Sequence, residues 1–74
     1  LYTYGIFMSR QLTVIIVDDE ALAREGALLR LIADSRFDVV TQCPSALYAL
    51  DAIEQLKPDI AFLDIEMPEL NGLE

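Results

Sequence analysis

Three carboxylates stand where two apolar runs end, and they are the residues of this chain best suited to chemistry. Val14-Ile15-Ile16-Val17 leads directly into Asp18 and Asp19, and Ile60-Ala61-Phe62-Leu63 leads into Asp64. Short apolar runs rich in β-branched residues read as buried strands, so each carboxylate is delivered to a strand's carboxyl end. In an open parallel sheet, ligands bind at that end. Acidic groups gathered in one crevice repel each other unless something positive lies among them, and a hard divalent cation such as Mg²⁺ is the commonest solution. Such a site suits an acyl-phosphate cycle, in which one carboxylate attacks a phosphoryl group while the others hold a cation that offsets charge on the transferring oxygens. Asp64 stands alone at its strand end and is the better nucleophile. Asp19 suits metal ligation, Asp18 joins it directly or through water, and a main-chain carbonyl just beyond Asp64 is a reasonable further ligand. The competing view is that Asp18, Asp19 and Glu20 merely complement a helix N-terminus while Asp64 caps the next helix. Their joint placement on adjacent strand ends favours a site.

The elements that must position these groups follow from periodicity. Leu12 to Val17 reads as the first strand, and the acidic trio Asp18, Asp19 and Glu20 opens the helix that follows, from about Ala21 to Ala33. Ala23, Ala27, Leu28, Leu31 and Ile32 give that helix an apolar stripe, with Arg24, Glu25 and Arg30 at wetter positions. Arg24 has pairing with the acidic cluster as a second option. Gly26 inside the helix points to close helix–sheet packing. Phe37 to Gln42 forms a second strand ended by Cys43-Pro44, and Ser45 caps a second helix from about Ala46 to Leu56. Ala46, Ala49, Leu50, Ile53 and Leu56 line one face of it, Lys57 suits its C-terminal dipole, and Pro58 stops it. A third strand spans about Asp59 to Leu63, and Met67 to Gly72 reads as a loop with an Asn-Gly turn. Cys43 is a small apolar filler and Tyr48 a partly exposed packing residue. This βαβαβ order, with short connections, predicts parallel strands in the order 2-1-3, which sets Asp18 and Asp19 beside Asp64.

Composition narrows the function. The chain has 74 residues, with five basic and thirteen acidic side chains and a net charge of -8. That surface repels nucleic acid and anionic membranes, so direct DNA binding by this segment and membrane association are not expected. A single cysteine forms no internal disulfide, which fits a reducing, cytoplasmic setting. No apolar run approaches the roughly 20 residues that span a bilayer. No glycine-rich phosphate loop follows the first strand, which argues against nucleotide binding. Residues 1–11 are read as an N-terminal extension. Met8 is a candidate natural initiator, with Leu1 to Phe7 as upstream translated sequence or an expression remnant, or alternatively an extra edge strand.

Val17-Asp18-Asp19-Glu20 with Ala21-Leu22-Ala23-Arg24-Glu25, and Lys57-Pro58-Asp59 through Asp64-Ile65-Glu66-Met67-Pro68 to Asn71-Gly72-Leu73-Glu74, resemble the receiver domain of two-component response regulators. The Leu22-Ala23-Arg24-Glu25 run is most similar to the LytR/AlgR subgroup. The resemblance covers about Leu12 to Glu74 and implies a flavodoxin-like α/β fold. That fold is here truncated to βαβαβ, with residues 12–74 forming the N-terminal part of the domain. It further implies that Asp64 is the phospho-acceptor, that Asp18, Asp19, Asp64 and the main-chain carbonyl of Glu66 hold Mg²⁺, and that Met67-Pro68 shapes the loop beyond. Gly72 matches the glycine at the turn into the third helix. The implied phosphoryl donor is a sensor histidine kinase or phosphotransfer protein, and the implied role is signalling rather than free-standing enzymatic turnover. Any DNA contact would come through a C-terminal domain that this chain does not contain.

The family's Ser or Thr after strand four and Lys after strand five have no counterpart here. Lys57 cannot substitute, because it precedes the third strand and stands roughly 20 Å from Asp64 at about 3.3 Å per residue. Without a fourth strand the third becomes an apolar edge, so the isolated chain is expected to dimerise or otherwise self-associate. Two other functions compete. One is an interaction module that is never phosphorylated. The other is an aspartate-nucleophile phosphohydrolase, weakened because Asp64-Ile65-Glu66 carries Glu where an Asp-x-Asp motif needs its second aspartate.

Overall fold

The computed structural model describes residues 10–63 of the chain. Within them run β1 (Leu12–Val17), α1 (Ala21–Ile32), β2 (Phe37–Cys43), α2 (Ala46–Leu56) and β3 (Ile60–Leu63). The three strands form one parallel sheet in the order β2-β1-β3. This is the βαβαβ arrangement the sequence predicts. The expectations that fall on Leu1 to Phe7, Met8, Asp64, Glu66, Met67-Pro68 and Asn71-Gly72 lie outside the described residues.

The central strand explains the fold. Val14, Ile15, Ile16 and Val17 are all buried, and their side chains alternate between two separate clusters. Ile15 and Val17 join Cys43, Ala46 and Ala49 under α2, while Val14 and Ile16 join Leu31 under α1. A strand covered on both faces must be apolar at every position, which is why this run does not alternate. Each such side chain contributes about 1.5–3 kcal/mol on burial. Among the described residues β2 pairs only with β1 and shows the alternation of a half-covered strand, with Val40 an extra residue between the pairs Val14–Val39 and Ile15–Thr41. The strand extends one residue beyond the expected Gln42, because Cys43 still pairs with Val17 and packs into the core.

Several sequence expectations are corrected in detail. The inner face of α1 is Arg24, Ala27, Leu28 and Leu31, whereas Ala23 is exposed and Ile32 is 59% exposed. Spacing of i, i+3, i+4 and i+7 is kept, but rotated by one residue so that an arginine stem takes an inner position. A Cβ on Gly26 would meet nothing within 4 Å, so this glycine does not serve close packing. In α2 the buried row is Ala46 and Ala49, with Ala52 half-buried, while Leu50, Ile53 and Leu56 are exposed. Small side chains let the helix lie close to Ile15 and Val17, which turns the leucine row away from them.

Both ends of α2 follow local chemistry. Ser45 Oγ accepts from the Tyr48 N–H at 3.3 Å, as an N-cap should. Lys57 ends the helix in the left-handed region at φ 46°, its N–H donating to the Ile53 carbonyl at 2.9 Å, and Pro58 prevents continuation. Asp59 precedes β3 rather than opening it. Its N–H donates to Thr13 while its carboxylate accepts from the Thr13 N–H at 2.7 Å and from Arg10 at 3.0 Å.

Candidate functional site at the carboxyl ends of the strands

The site begins with the register of β1 against β3. Val17 pairs with Leu63, so β1 and β3 end side by side. β2 lies on the opposite side of β1, which makes the gap between the ends of β1 and β3 the point where the strand order reverses. Asp18 follows Val17 at this point. Asp64 is the next residue after Leu63 and lies outside the described residues, as does Glu66.

Asp18 is held by three bonds. Its N–H donates to the Cys43 carbonyl at 3.1 Å, extending the β1–β2 ladder by one step. Its Oδ1 accepts from the Glu20 N–H at 2.9 Å, an Asx turn that bends the chain from strand to helix. Its carbonyl accepts from Arg24 Nη1 at 2.7 Å, a partly buried, charge-assisted bond. Asp18 is half-buried and Asp19 exposed. Glu20 is the N-cap residue of α1 but makes no side-chain cap bond, and the first turn contains no acid. The trio therefore precedes the helix, and Asp18 is engaged in shaping the loop.

A groove of about 190 Å³ opens here, lined by Ile16, Val17, Asp18, Ala27, Phe62 and Leu63. A larger hollow of about 470 Å³ lies between the end of β2 and α2, around Thr41, Tyr48 and Gln55, and does not include the acidic residues. The smaller groove is the one at the strand switch. Among the described residues no three His, Cys, Asp or Glu side chains gather as a metal site, and Asp64 is not among those residues. The donors that are described fit Mg²⁺ in kind: Asp18 and Asp19 offer hard carboxylate oxygens, and a backbone bond already fixes Asp18.

Charge elsewhere is balanced differently. Hydrogen bonding to Arg10, then to the Thr13 N–H and hydroxyl, lowers the Asp59 carboxyl to about 2. Arg36 lowers the Asp34 carboxyl to about 2 in the same way. Burial raises the Cys43 thiol, with the Arg24 charge acting in the other direction.

The sequence profile described as the response regulator receiver domain matches residues 14–74. The chain belongs to this family. Among curated relatives, an uncharacterized response regulatory protein of Yersinia pestis is 52% identical over 63 residues, covering 85% of this chain and 26% of the relative. The transcriptional regulatory protein BtsR of Salmonella typhi is 46% identical over 61 residues, covering 82% of this chain and 26% of BtsR. This chain thus spans about a quarter of the length of these curated relatives. The signal receiver domain of NarL from Mycobacterium tuberculosis superposes with a TM-score of 0.77 at 34% identity, covering 80% of this chain and 48% of that one. The receiver fold, with its strand order 2-1-3, is thus shared with a solved member of the family.

Within this receiver segment, the structure places Asp18 and Asp19 at the switch point as the sequence suggests. It adds Arg24, for which the helical spacing predicts a wetter position. Its alternative, pairing with the cluster, is realised through a backbone carbonyl rather than a carboxylate.

Proposed function

We propose that this segment is the phospho-accepting part of a two-component regulator, with Asp64 as acceptor. Asp18, Asp19, Asp64 and the main-chain carbonyl of Glu66 would hold Mg²⁺, a cation that lowers the cost of charge on the transferring phosphoryl oxygens. A carboxylate oxygen of Asp64 forms the new bond to phosphorus as the donor's bond breaks and its leaving group departs. The observation that carries this reading is the pairing of Val17 with Leu63, because each residue immediately precedes one of the carboxylates concerned. Chain connectivity limits how far consecutive residues diverge, with successive Cα atoms about 3.8 Å apart.

The phosphoryl donor would be a sensor histidine kinase or phosphotransfer protein. Output would pass through a DNA-binding domain outside this segment, consistent with relatives named as transcriptional regulatory proteins. The Leu22-Ala23-Arg24-Glu25 run favours a LytR/AlgR-like regulator. We place the protein in the cytoplasm and read it as a signalling module rather than a free-standing enzyme; among the described residues, no helix is long and apolar enough to cross a membrane. Incubating the protein with acetyl phosphate and Mg²⁺ should yield a phosphorylated species on a phosphate-affinity gel, lost on chelation and in Asp64→Asn. Equal labelling of Asp64→Asn and wild type would refute the assignment.

Self-association is a second reading, favoured by the outer edge of β3. Among the described residues this strand pairs only with β1, and Phe62 and Leu63 are 44% and 46% exposed. Sedimentation of the 74-residue chain should show dimers or larger species; a single monomer species at all concentrations would exclude it.

A further inference from the structure

We propose that Arg24 is the positioning residue of the acidic loop, fixing the Asp18 carbonyl so that Asp18 and Asp19 are presented to a shared cation. The inference rests on the metal-site reading above and adds a residue to it.

The first support is placement. All five basic side chains of the protein fall within the described residues. Arg10, Arg36 and Lys57 precede strands, and Arg30 lies in the last turn of α1. Among the described residues, Arg24 is the cation at the carboxyl ends of the strands. It sits near the start of a helix, where the helix dipole disfavours positive charge. A residue placed against that field needs a compensating partner, and the Asp18 carbonyl supplies one at 2.7 Å. Side chains in a helix lean toward its N-terminus, which directs the guanidinium back over the loop.

The second support is the division of labour around Asp18. With its N–H on Cys43 and its Oδ1 on Glu20, the remaining backbone group is the carbonyl that Arg24 takes. That carbonyl belongs to the peptide joining Asp18 to Asp19, so holding it sets the plane from which the exposed Asp19 departs. Because the bond goes to a carbonyl, Arg24 takes up no carboxylate oxygen, and Oδ2 of Asp18 and the Asp19 carboxylate are left to a metal while Oδ1 of Asp18 holds the turn.

The opposing possibility is that Arg24 acts only as a counter-charge. The two roles predict opposite signs. Loss of a positioning group should weaken Mg²⁺ binding, typically tenfold or more for residues that orient metal ligands. Loss of a nearby positive charge alone should tighten it.

The test is calorimetric titration of the metal-free protein with MgCl₂, comparing wild type, Arg24→Met and Arg24→Lys, with folding followed by far-ultraviolet circular dichroism. Arg24→Met should raise the Kd about tenfold, and Arg24→Lys, which keeps a donor on a long stem, should stay within about threefold of wild type. Unchanged or tighter binding in folded Arg24→Met would overturn the proposal. If Arg24→Met does not fold, the lysine variant decides, and a tenfold loss in that folded variant also counts against it. Wild-type protein that binds no Mg²⁺ would instead remove the metal-site reading itself, and the positioning role with it.

Discussion

The two ends of this small sheet handle charge in opposite ways. At the amino ends, Asp59 takes Arg10 and Thr13, and Asp34 takes Arg36, so each carboxylate is matched by donors and its pKa falls to about 2. At the carboxyl ends, Asp18, Asp19 and Glu20 stand in sequence while the nearby Arg24 bonds a main-chain oxygen. The first arrangement ties β1 to the start of β3 and the end of α1 to the start of β2. The second leaves carboxylate oxygens unspent. Acids paired at one end and left unpaired at the other are what the proposed site, which takes something positive from outside, requires.

The largest expected effect comes from the strand both ends share. Ile15→Ala empties a fully buried position under α2 and should cost about 2–5 kcal/mol, read as a lower urea midpoint. Losing both ends together is expected; loss of Mg²⁺ binding with unchanged stability would contradict the shared support.

The next effect separates the ends. The folded Asp59 carboxyl lies below its ordinary 3.8, so its contribution is complete above that value and is lost as pH falls through about 2. Asp59→Asn should therefore lower stability at neutral pH and flatten the acid limb of a melting-temperature profile, leaving the Mg²⁺ affinity near wild type. A strong change in that affinity would show that the ends are not independent. Smallest is Asp19→Asn, which relieves repulsion in the loop. Without metal it should stabilise by about 0.5 kcal/mol, the scale of exposed charge terms, while weakening Mg²⁺ binding. A loss of both would break the contrast.

Much of this was legible in the sequence, for identifiable reasons. The apolar run Val14 to Val17 has only one reading once helices cover both faces, and Ser45 and Pro58 mark helix ends by local chemistry. The latch of Arg10, Thr13 and Asp59 was missed because its partners lie 46 and 49 residues apart, and no local pattern marks such pairs. The rotated face of α1 was missed because hydropathy assigns arginine to water, whereas Arg24 finds a carbonyl. Gly26 was assigned a packing role that its open surroundings do not support. The candidate site was readable as residue types at strand ends; what joins Asp18 to its neighbours required the fold.

The most direct test of a reserved carboxyl end is paramagnetic broadening by Mn²⁺, a Mg²⁺ substitute, in amide spectra of the whole protein. The account predicts that signals from Val17 to Glu20 and from Leu63 fade first, while those of Thr13, Asp34 and Asp59 persist. Broadening centred on Asp34 and Asp59, or spread evenly over the acidic residues, would contradict it.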